Sequence, residues 1–193
     1  MARLVTSIAV VFLASALASA WGTTGVPESL SATTLAEAVD DLEARLFARK
    51  LAMPVAGTEP SQLRDTYHDR RGAKLHEALD IMAPRGTPVV ATDDGYVVKL
   101  FRSVPGGLTV YQSDTGNEVI FYYAHLDRYA DGLREGQRVA RGDVLGYVGT
   151  TGNAASDNPH LHFAIFKLPP GKEWWKGTPI NPFPFYKRAR REG

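Results

Sequence analysis

The sequence predicts a mainly β, antiparallel fold with one amphipathic helix near its N-terminus. Beyond Pro54 the chain consists of short segments rich in β-branched and aromatic residues, separated by tight-turn signals such as Asp94-Gly95 and residues 115–117. No helical pattern lies between these segments, so we expect neighbouring strands to pair antiparallel. The predicted strands are residues 87–91, 96–101, 108–112, 118–124, 144–148 and 161–167.

The helix is predicted over residues 31–51. Thr34 and Glu37 have the spacing of a capping box, and Pro54 lies where the helical pattern stops. An apolar stripe follows one face of the helix: Leu35, Val39, Leu42 and Leu46. Such a stripe is typical of a helix that packs on a domain surface. The alternative is a regulatory segment that binds a partner protein, and the sequence does not separate the two.

The first 20 residues have the layout of a secretory signal peptide. A basic start at Arg3 is followed by an apolar run over residues 4–17 and by small residues at 18–20. The run is shorter than a typical membrane span, so we expect cleavage, no stable membrane insertion afterwards, and a periplasmic or extracellular protein. The expected organisation is a signal peptide at 1–20, a helical segment at 21–53, a β-rich domain at 54–184 and a basic tail at 185–193.

Composition excludes several classes of protein. The chain has no cysteine, so it forms no disulfide and carries no lipid-modified cysteine. Its 22 basic and 21 acidic residues leave a neutral chain once Arg3 is removed with the leader. Neutrality gives no indication of nucleic-acid binding.

Four of the five histidines fall into three short groups, each inside an apolar segment. These groups are residues 76–80 with the sequence HEALD, residues 123–126 with YAHL, and residues 159–163 with PHLHF. Histidine is the commonest protein ligand of transition metals. His68 stands apart in a charged stretch and is predicted to be a surface residue.

The spacing places candidate ligands on shared strand faces. On a strand, His76 and Asp80 lie on one face with the small Ala78 between them, and His160 and His162 lie on one face while Leu161 and Phe163 point to the core. Two such strands, paired or facing, would bring the side chains onto one ion. Two imidazoles and one carboxylate are a catalytic zinc set, which leaves a fourth position for water.

In these residues the chain resembles the lysostaphin-type (LytM-like) zinc metallopeptidases, which cleave peptide cross-links in bacterial peptidoglycan. The resemblance covers about residues 54–184 and rests on H-x-x-x-D, a later A-H-L and a final H-x-H, together with the segment around residues 83–89 and the segment 142–146. It implies that His76, Asp80 and His162 bind one Zn²⁺ and that His125 and His160 are catalytic histidines without a ligand role. Ala78 replaces a glycine that is usual in the family, and its methyl group is expected to crowd the site mildly.

Three classes of function are compatible with the pattern. The first is a zinc endopeptidase of the cell wall. The second is a non-catalytic relative that binds and activates another wall hydrolase; such relatives typically lack ligands, whereas all five site residues are present here. The third is a carrier module, because residues 135–146 resemble half of a biotinyl- or lipoyl-type barrel. The Met-Lys-Met carrier turn is missing, so that segment supports only a barrel-sandwich hybrid fold.

Surface features around the site give weaker expectations. The loops 57–74 and 149–159 border the histidine groups and are predicted walls of a substrate groove. The basic residues Arg70, Arg71 and Lys74 are expected to form a solvated turn, with a cation near the scissile carbonyl as the alternative. Trp174 and Trp175 are predicted to point apart on an extended segment, and a sugar-stacking role is the less favoured hypothesis.

Overall fold

The computed structural model describes residues 32–169, 171 and 173–187, with backbone alone for residues 32–40. The predicted signal peptide, the capping-box side chains and the tail beyond Lys187 lie outside the described residues. The chain divides into two units, residues 1–38 and 39–193, and the candidate site belongs to the second. None of the helices in the part that the structure describes is long and apolar enough to cross a membrane.

The described chain contains two α-helices, one short 3₁₀ helix at Pro60–Gln62 and eleven strands. The helices are α1 (Ala32–Arg49) and α2 (Phe183–Lys187). The strands are β1 (Arg70–Arg71), β2 (Lys74–Leu75), β3 (Leu79–Met82), β4 (Pro88–Val90), β5 (Gly95–Ser103), β6 (Gly107–Asp114), β7 (Val119–Tyr129), β8 (Arg138–Val139), β9 (Val144–Val148), β10 (His160–Lys167) and β11 (Thr178–Ile180).

The predicted antiparallel β fold is confirmed. Nine strands form one sheet in which every pairing is antiparallel, and β1 and β2 form a separate small hairpin. Each of the six predicted strands overlaps a strand of the structure, because alternation of apolar and polar residues marks strands with one face on the core. The core side chains of β7 and β10 illustrate this: Phe121, Tyr123, Phe163 and Ile165 are fully buried.

Strand β7 is central to the site because it changes partner along its length. Residues 119–124 pair with β10, whereas residues 126–129 pair with β9. The change of partner falls at His125, so the sheet divides at that residue. On the opposite edge of β10, β3 pairs with residues 160–163. The divided sheet leaves an open space next to His125, and the candidate site lies there.

The second half of α1 packs as the amphipathic pattern predicts. Leu42 and Leu46 are 2% and 0% exposed and belong to the same core as the strands. The C-terminal end of the helix is fixed by Arg49, which donates hydrogen bonds to Asp93 at 3.2 Å and to Asp114 at 2.9 Å. Asp114 is buried and also accepts the backbone N–H groups of Glu118 and Val119. Helix and sheet are therefore joined by a partly buried ion pair.

Replacing Arg49 with Met is expected to destabilise the fold by about 2–4 kcal/mol, because Asp114 would keep its buried charge without a cation. Urea unfolding measures the change. The matched control is Arg45→Met, since Arg45 contacts the exposed carboxylates of Asp41 and Glu118 and should contribute less than about 1 kcal/mol. Equal stabilities of the two variants would contradict this role of Arg49.

The C-terminal boundary differs from the prediction. A basic tail was expected from residue 185, but Phe185 and Tyr186 lie in α2 and are 6% and 2% exposed. The Tyr186 hydroxyl is 2.8 Å from Thr92 Oγ1, and Phe185 packs on Phe47 of α1 with ring centroids 4.4 Å apart. The apolar pair was overlooked because the arginines that follow it dominate the composition of the segment.

Candidate metal centre and active site

Strand pairing brings two of the predicted ligands together directly. In the register of β3 and β10, Asp80 lies opposite His162, and on its other side His162 lies opposite Ala124 of β7. Asp80 Oδ1 is 3.2 Å from His162 Nδ1. As the sequence predicted, Leu161 and Phe163 are fully buried while His162 faces the opposite side of the strand.

His76 reaches the site differently from the prediction. It was expected on the same strand as Asp80, but β3 begins only at Leu79, and Glu77 has a left-handed backbone with φ +55°. The His76 and Glu77 N–H groups bond to the carbonyls of Asp69 and Tyr67. A turn, and not strand alternation, therefore aims the His76 ring at Asp80.

His76, Asp80 and His162 form a set that fits zinc. His76 Nε2 lies 3.0 Å from His162 Nδ1 and 3.1 Å from Asp80 Oδ1, and Asp80 Oδ1 completes the triangle at 3.2 Å from His162 Nδ1. Tetrahedral zinc with bonds of about 2.0–2.2 Å separates its ligand atoms by roughly 3.3 Å. The triangle agrees with that value to within a few tenths of an ångström, and two imidazoles with one carboxylate are donors that zinc prefers.

Neighbouring groups orient the candidate ligands. His76 Nδ1 is 3.0 Å from the carbonyl of Thr66, so Nδ1 carries the proton and Nε2 is free for a metal. The Thr66 hydroxyl accepts the N–H of Asp80 and donates to the carbonyl of Ala78. The second carboxylate oxygen of Asp80 accepts a 2.8 Å hydrogen bond from Arg71. Oδ1 is thereby left as the oxygen that faces the two histidines.

The electrostatics favour a charged Asp80 and a neutral His162. Burial raises the pKa of Asp80, but hydrogen bonds and charge interactions with His162 and His76 outweigh burial and hold that pKa well below its usual range. Burial lowers the pKa of His162, against the effect of Asp80. A carboxylate and two unprotonated imidazoles are the protonation states that bind a metal.

A bulge in β7 positions His125. Leu108 pairs with Leu126 and Val110 with Tyr123, so two residues of β7 oppose one residue of β6, and His125 has φ +62°. In a regular strand His125 would share the core face of Tyr123. The bulge shifts the alternation so that His125 and Ala124 both line the groove while Leu126 returns to the core. A left-handed backbone conformation at a residue other than glycine costs free energy, and such residues are often found at functional sites.

Backbone carbonyls orient the rings of His125 and His160 as candidate acid–base groups. His125 Nδ1 lies 2.8 Å from the Thr151 carbonyl and His160 Nδ1 lies 2.8 Å from the Asn158 carbonyl, which leaves each Nε2 available to a substrate. Their ring centroids are 5.0 Å apart. The pKa of His125 is lowered to about 4, mainly by burial. Charge interactions with His162 and His160 also lower this pKa, whereas the hydrogen bond to Thr151 raises it. His125 is therefore unprotonated at neutral pH.

The five residues line a groove of about 560 Å³. One wall is the β1–β2 hairpin with Arg71 and Lys74, and a second wall comes from residues 153–158, as the two predicted loops suggested. A third wall lies at Pro105 and Gly106 between β5 and β6. It was not predicted, because the sequence of a hairpin turn does not show which strand edge the turn will cover. Gly106 accepts the backbone N–H of His125 at 2.8 Å.

Two other expectations are resolved by the geometry. His68 is exposed and stacks edge-on against Tyr67, outside the groove, as predicted. Ala78 is fully buried and is not among the residues that line the groove. The expected crowding by its methyl group is therefore absent from the groove.

Comparison with known proteins gives a family match and several curated relatives. Residues 74–182 match Peptidase family M23. An L-Ala–D-Glu endopeptidase of Bacillus subtilis is 32% identical over 148 residues, which are 72% of this chain and 44% of the relative. The cell division protein DipM of Caulobacter vibrioides is 30% identical over 161 residues, 81% of this chain and 24% of that protein. The chain thus spans less than half the length of these curated relatives.

A solved structure shows the same fold. The antimicrobial peptidase lysostaphin from Staphylococcus simulans superposes with a TM-score of 0.56 at 23% identity, covering 74% of this chain and 57% of that one. The likeness confirms the predicted lysostaphin-type architecture. The match over residues 74–182 shows that the chain belongs to Peptidase family M23.

Proposed function

We propose that this protein is an exported, zinc-dependent endopeptidase that hydrolyses peptide bonds in bacterial peptidoglycan cross-links. The observation that carries the proposal is the triangle of His76, Asp80 and His162 with sides of 3.0–3.2 Å, next to two histidines whose Nε2 atoms have no ligand role. The names of the relatives, an endopeptidase among them, support a cell-wall peptide as the substrate.

In this proposal His76, Asp80 and His162 hold the metal and the other two histidines move protons. Zinc, when bound, supplies a Lewis acid that polarises a peptide carbonyl and lowers the pKa of a water molecule. His125, unprotonated and oriented by Thr151, accepts a proton at Nε2 or returns one to the leaving amine. His160, 3.9 Å from Asp80 through Nε2, contributes a second hydrogen-bonding group beside the same space.

The groove suits an extended peptide. It is bordered on three sides by loops, and its cationic wall at Arg71 and Lys74 favours a substrate that carries carboxylates. Arg71 is held by Asp80 and so combines two roles, as a wall of the groove and as a partner of a candidate ligand. Arg70, Arg71 and Lys74 are exposed, as expected for a solvated turn, while the ion pair of Arg71 with Asp80 supports the alternative of a cation near the scissile carbonyl.

Release of soluble fragments from dye-labelled peptidoglycan tests the proposal. We expect activity in the zinc-loaded protein, loss of activity after treatment with a chelator, and recovery when zinc is returned. Activity that survives complete removal of the metal would contradict zinc dependence. If the zinc-loaded protein releases no fragments, the proposed peptidase activity is contradicted.

Export is the part of the proposal that rests on the N-terminal sequence alone. We expect cleavage after Ala20, so that the exported protein begins at Trp21. N-terminal sequencing of protein recovered from the periplasm or the medium measures this. A chain that still begins at Met1 would favour an anchored protein.

A further inference from the structure

The two adjacent tryptophans lie on a tight turn at the protein surface. The sequence predicted an extended segment with the two rings pointing apart, and the structure corrects this. The Lys176 N–H donates to the Glu173 carbonyl at 3.0 Å, and the two side chains form an ion pair of 2.7 Å across the turn. Trp174 and Trp175 occupy the tip, and their rings meet edge to face with centroids 5.2 Å apart.

The turn is fixed to β10, the strand that carries His160 and His162. It leads directly into β11, which pairs with residues 165–167 of β10. Gly177 packs so tightly on β10 that an added Cβ would lie 2.4 Å from Phe166 Cβ. The position of the turn relative to His162 is therefore set by strand pairing.

A row of aromatic rings joins the turn to the groove. The Tyr122 ring lies 6.0 Å from His162 and lines the groove. Tyr111 lies 4.7 Å from Tyr122, and Trp174 lies 4.7 Å from Tyr111. The row ends at Trp175, whose side chain is 58% exposed. Aromatic surface thus continues from the reacting centre to solvent.

The two inner rings of this row, Tyr111 and Tyr122, are explained by packing within the protein, without a ligand. Burial raises the pKa of Tyr111 and that of Tyr122, and these rings cover the outer face of the sheet. Trp175 is different, because most of its large apolar side chain remains in water although Trp174 already covers Tyr111. An exposed aromatic face continuous with a substrate groove is typical of a binding surface.

We propose that Trp175, supported by Trp174, is a stacking platform for sugar rings of the glycan strand from which the cleaved peptide extends. This inference rests on the proposed function, since peptidoglycan joins peptide stems to a polysaccharide. A pyranose ring presents a flat C–H face that packs on an indole while its hydroxyl groups stay hydrated. The peptide would occupy the groove at His125 and His160, and the sugar would lie beyond Tyr122 and Tyr111 on Trp175.

Binding of peptide-free glycan strands tests the platform independently of catalysis. Titration calorimetry compares the wild type with Trp175→Ala, Trp175→Phe and the control Tyr96→Ala, which removes an exposed aromatic ring from β5. We expect Trp175→Ala to weaken binding by roughly tenfold, Trp175→Phe to retain most of it, and Tyr96→Ala to match the wild type. Equal binding by the wild type and Trp175→Ala would overturn the proposal.

Kinetics on two forms of one substrate then show where the ring acts. The substrates are cross-linked muropeptides with their disaccharides and the same peptides after amidase has removed the sugars. We expect Trp175→Ala to raise KM for the sugar-bearing form by roughly tenfold with little change in kcat, and to leave the free peptide unaffected. Equal losses on both forms would assign Trp175 to the peptide and overturn the sugar platform. A wild type that cleaves neither form would refute the proposed peptidase, while the glycan titration would still decide the platform.

Discussion

His162→Ala is expected to release the metal and to abolish peptidase activity. His162 Nδ1 is the ligand atom within 3.2 Å of both His76 and Asp80, and two remaining ligands cannot hold zinc against water and buffer. Elemental analysis after dialysis should show about one zinc per chain in the wild type and almost none in the variant. His68→Ala is the matched control, because His68 is an exposed histidine outside the groove.

Circular dichroism separates loss of metal from loss of fold in this experiment. His162 faces the groove from β10, and its replacement leaves the core residues Leu161 and Phe163 untouched. A folded His162→Ala protein that keeps a full complement of zinc would refute the ligand assignment. A folded protein without zinc would support it.

His125→Asn and His160→Ala are expected to keep zinc and to lose activity by at least about a hundredfold, the usual scale for a missing acid–base group. Neither ring belongs to the ligand triangle, so metal content should stay near that of the wild type. Asparagine is chosen at His125 because it tolerates the left-handed φ of +62° better than alanine does. Zinc loss in both variants, or unchanged turnover, would contradict the proton-transfer role.

The sequence predicted most of the sheet and the five side chains that the fold brings together around one groove. The strands could be predicted because one face of each packs on the core, which leaves an alternating pattern. Spacing indicated which residues share a strand face, whereas the choice of Asp80 and His162 as ligands came from the resemblance to lysostaphin-type peptidases. The register that sets Asp80 opposite His162 depends on the pairing of two distant strands, which spacing does not show.

Three of the missed features depend on backbone conformations that the sequence does not show. Glu77 and His125 adopt positive φ although neither is glycine, so His76 was placed on a strand and the bulge in β7 was not foreseen. The turn at Glu173–Lys176 contains no glycine or proline, so its tryptophans were expected on an extended segment. Tertiary contacts, such as the hydrogen bond from the His125 N–H to Gly106, select these conformations.

Mass spectrometry of muropeptides tests the proposed peptidase activity most directly, because it identifies which bonds of the cell wall are cut. Purified cell walls are digested with the zinc-loaded wild type and, in parallel, with His125→Asn. We predict that the wild type converts cross-linked muropeptides into uncross-linked ones without shortening the glycan strands, and that the variant leaves the walls unchanged. An unchanged muropeptide pattern from wild-type protein carrying one zinc per chain would contradict the peptidase and identify a non-catalytic member of the family.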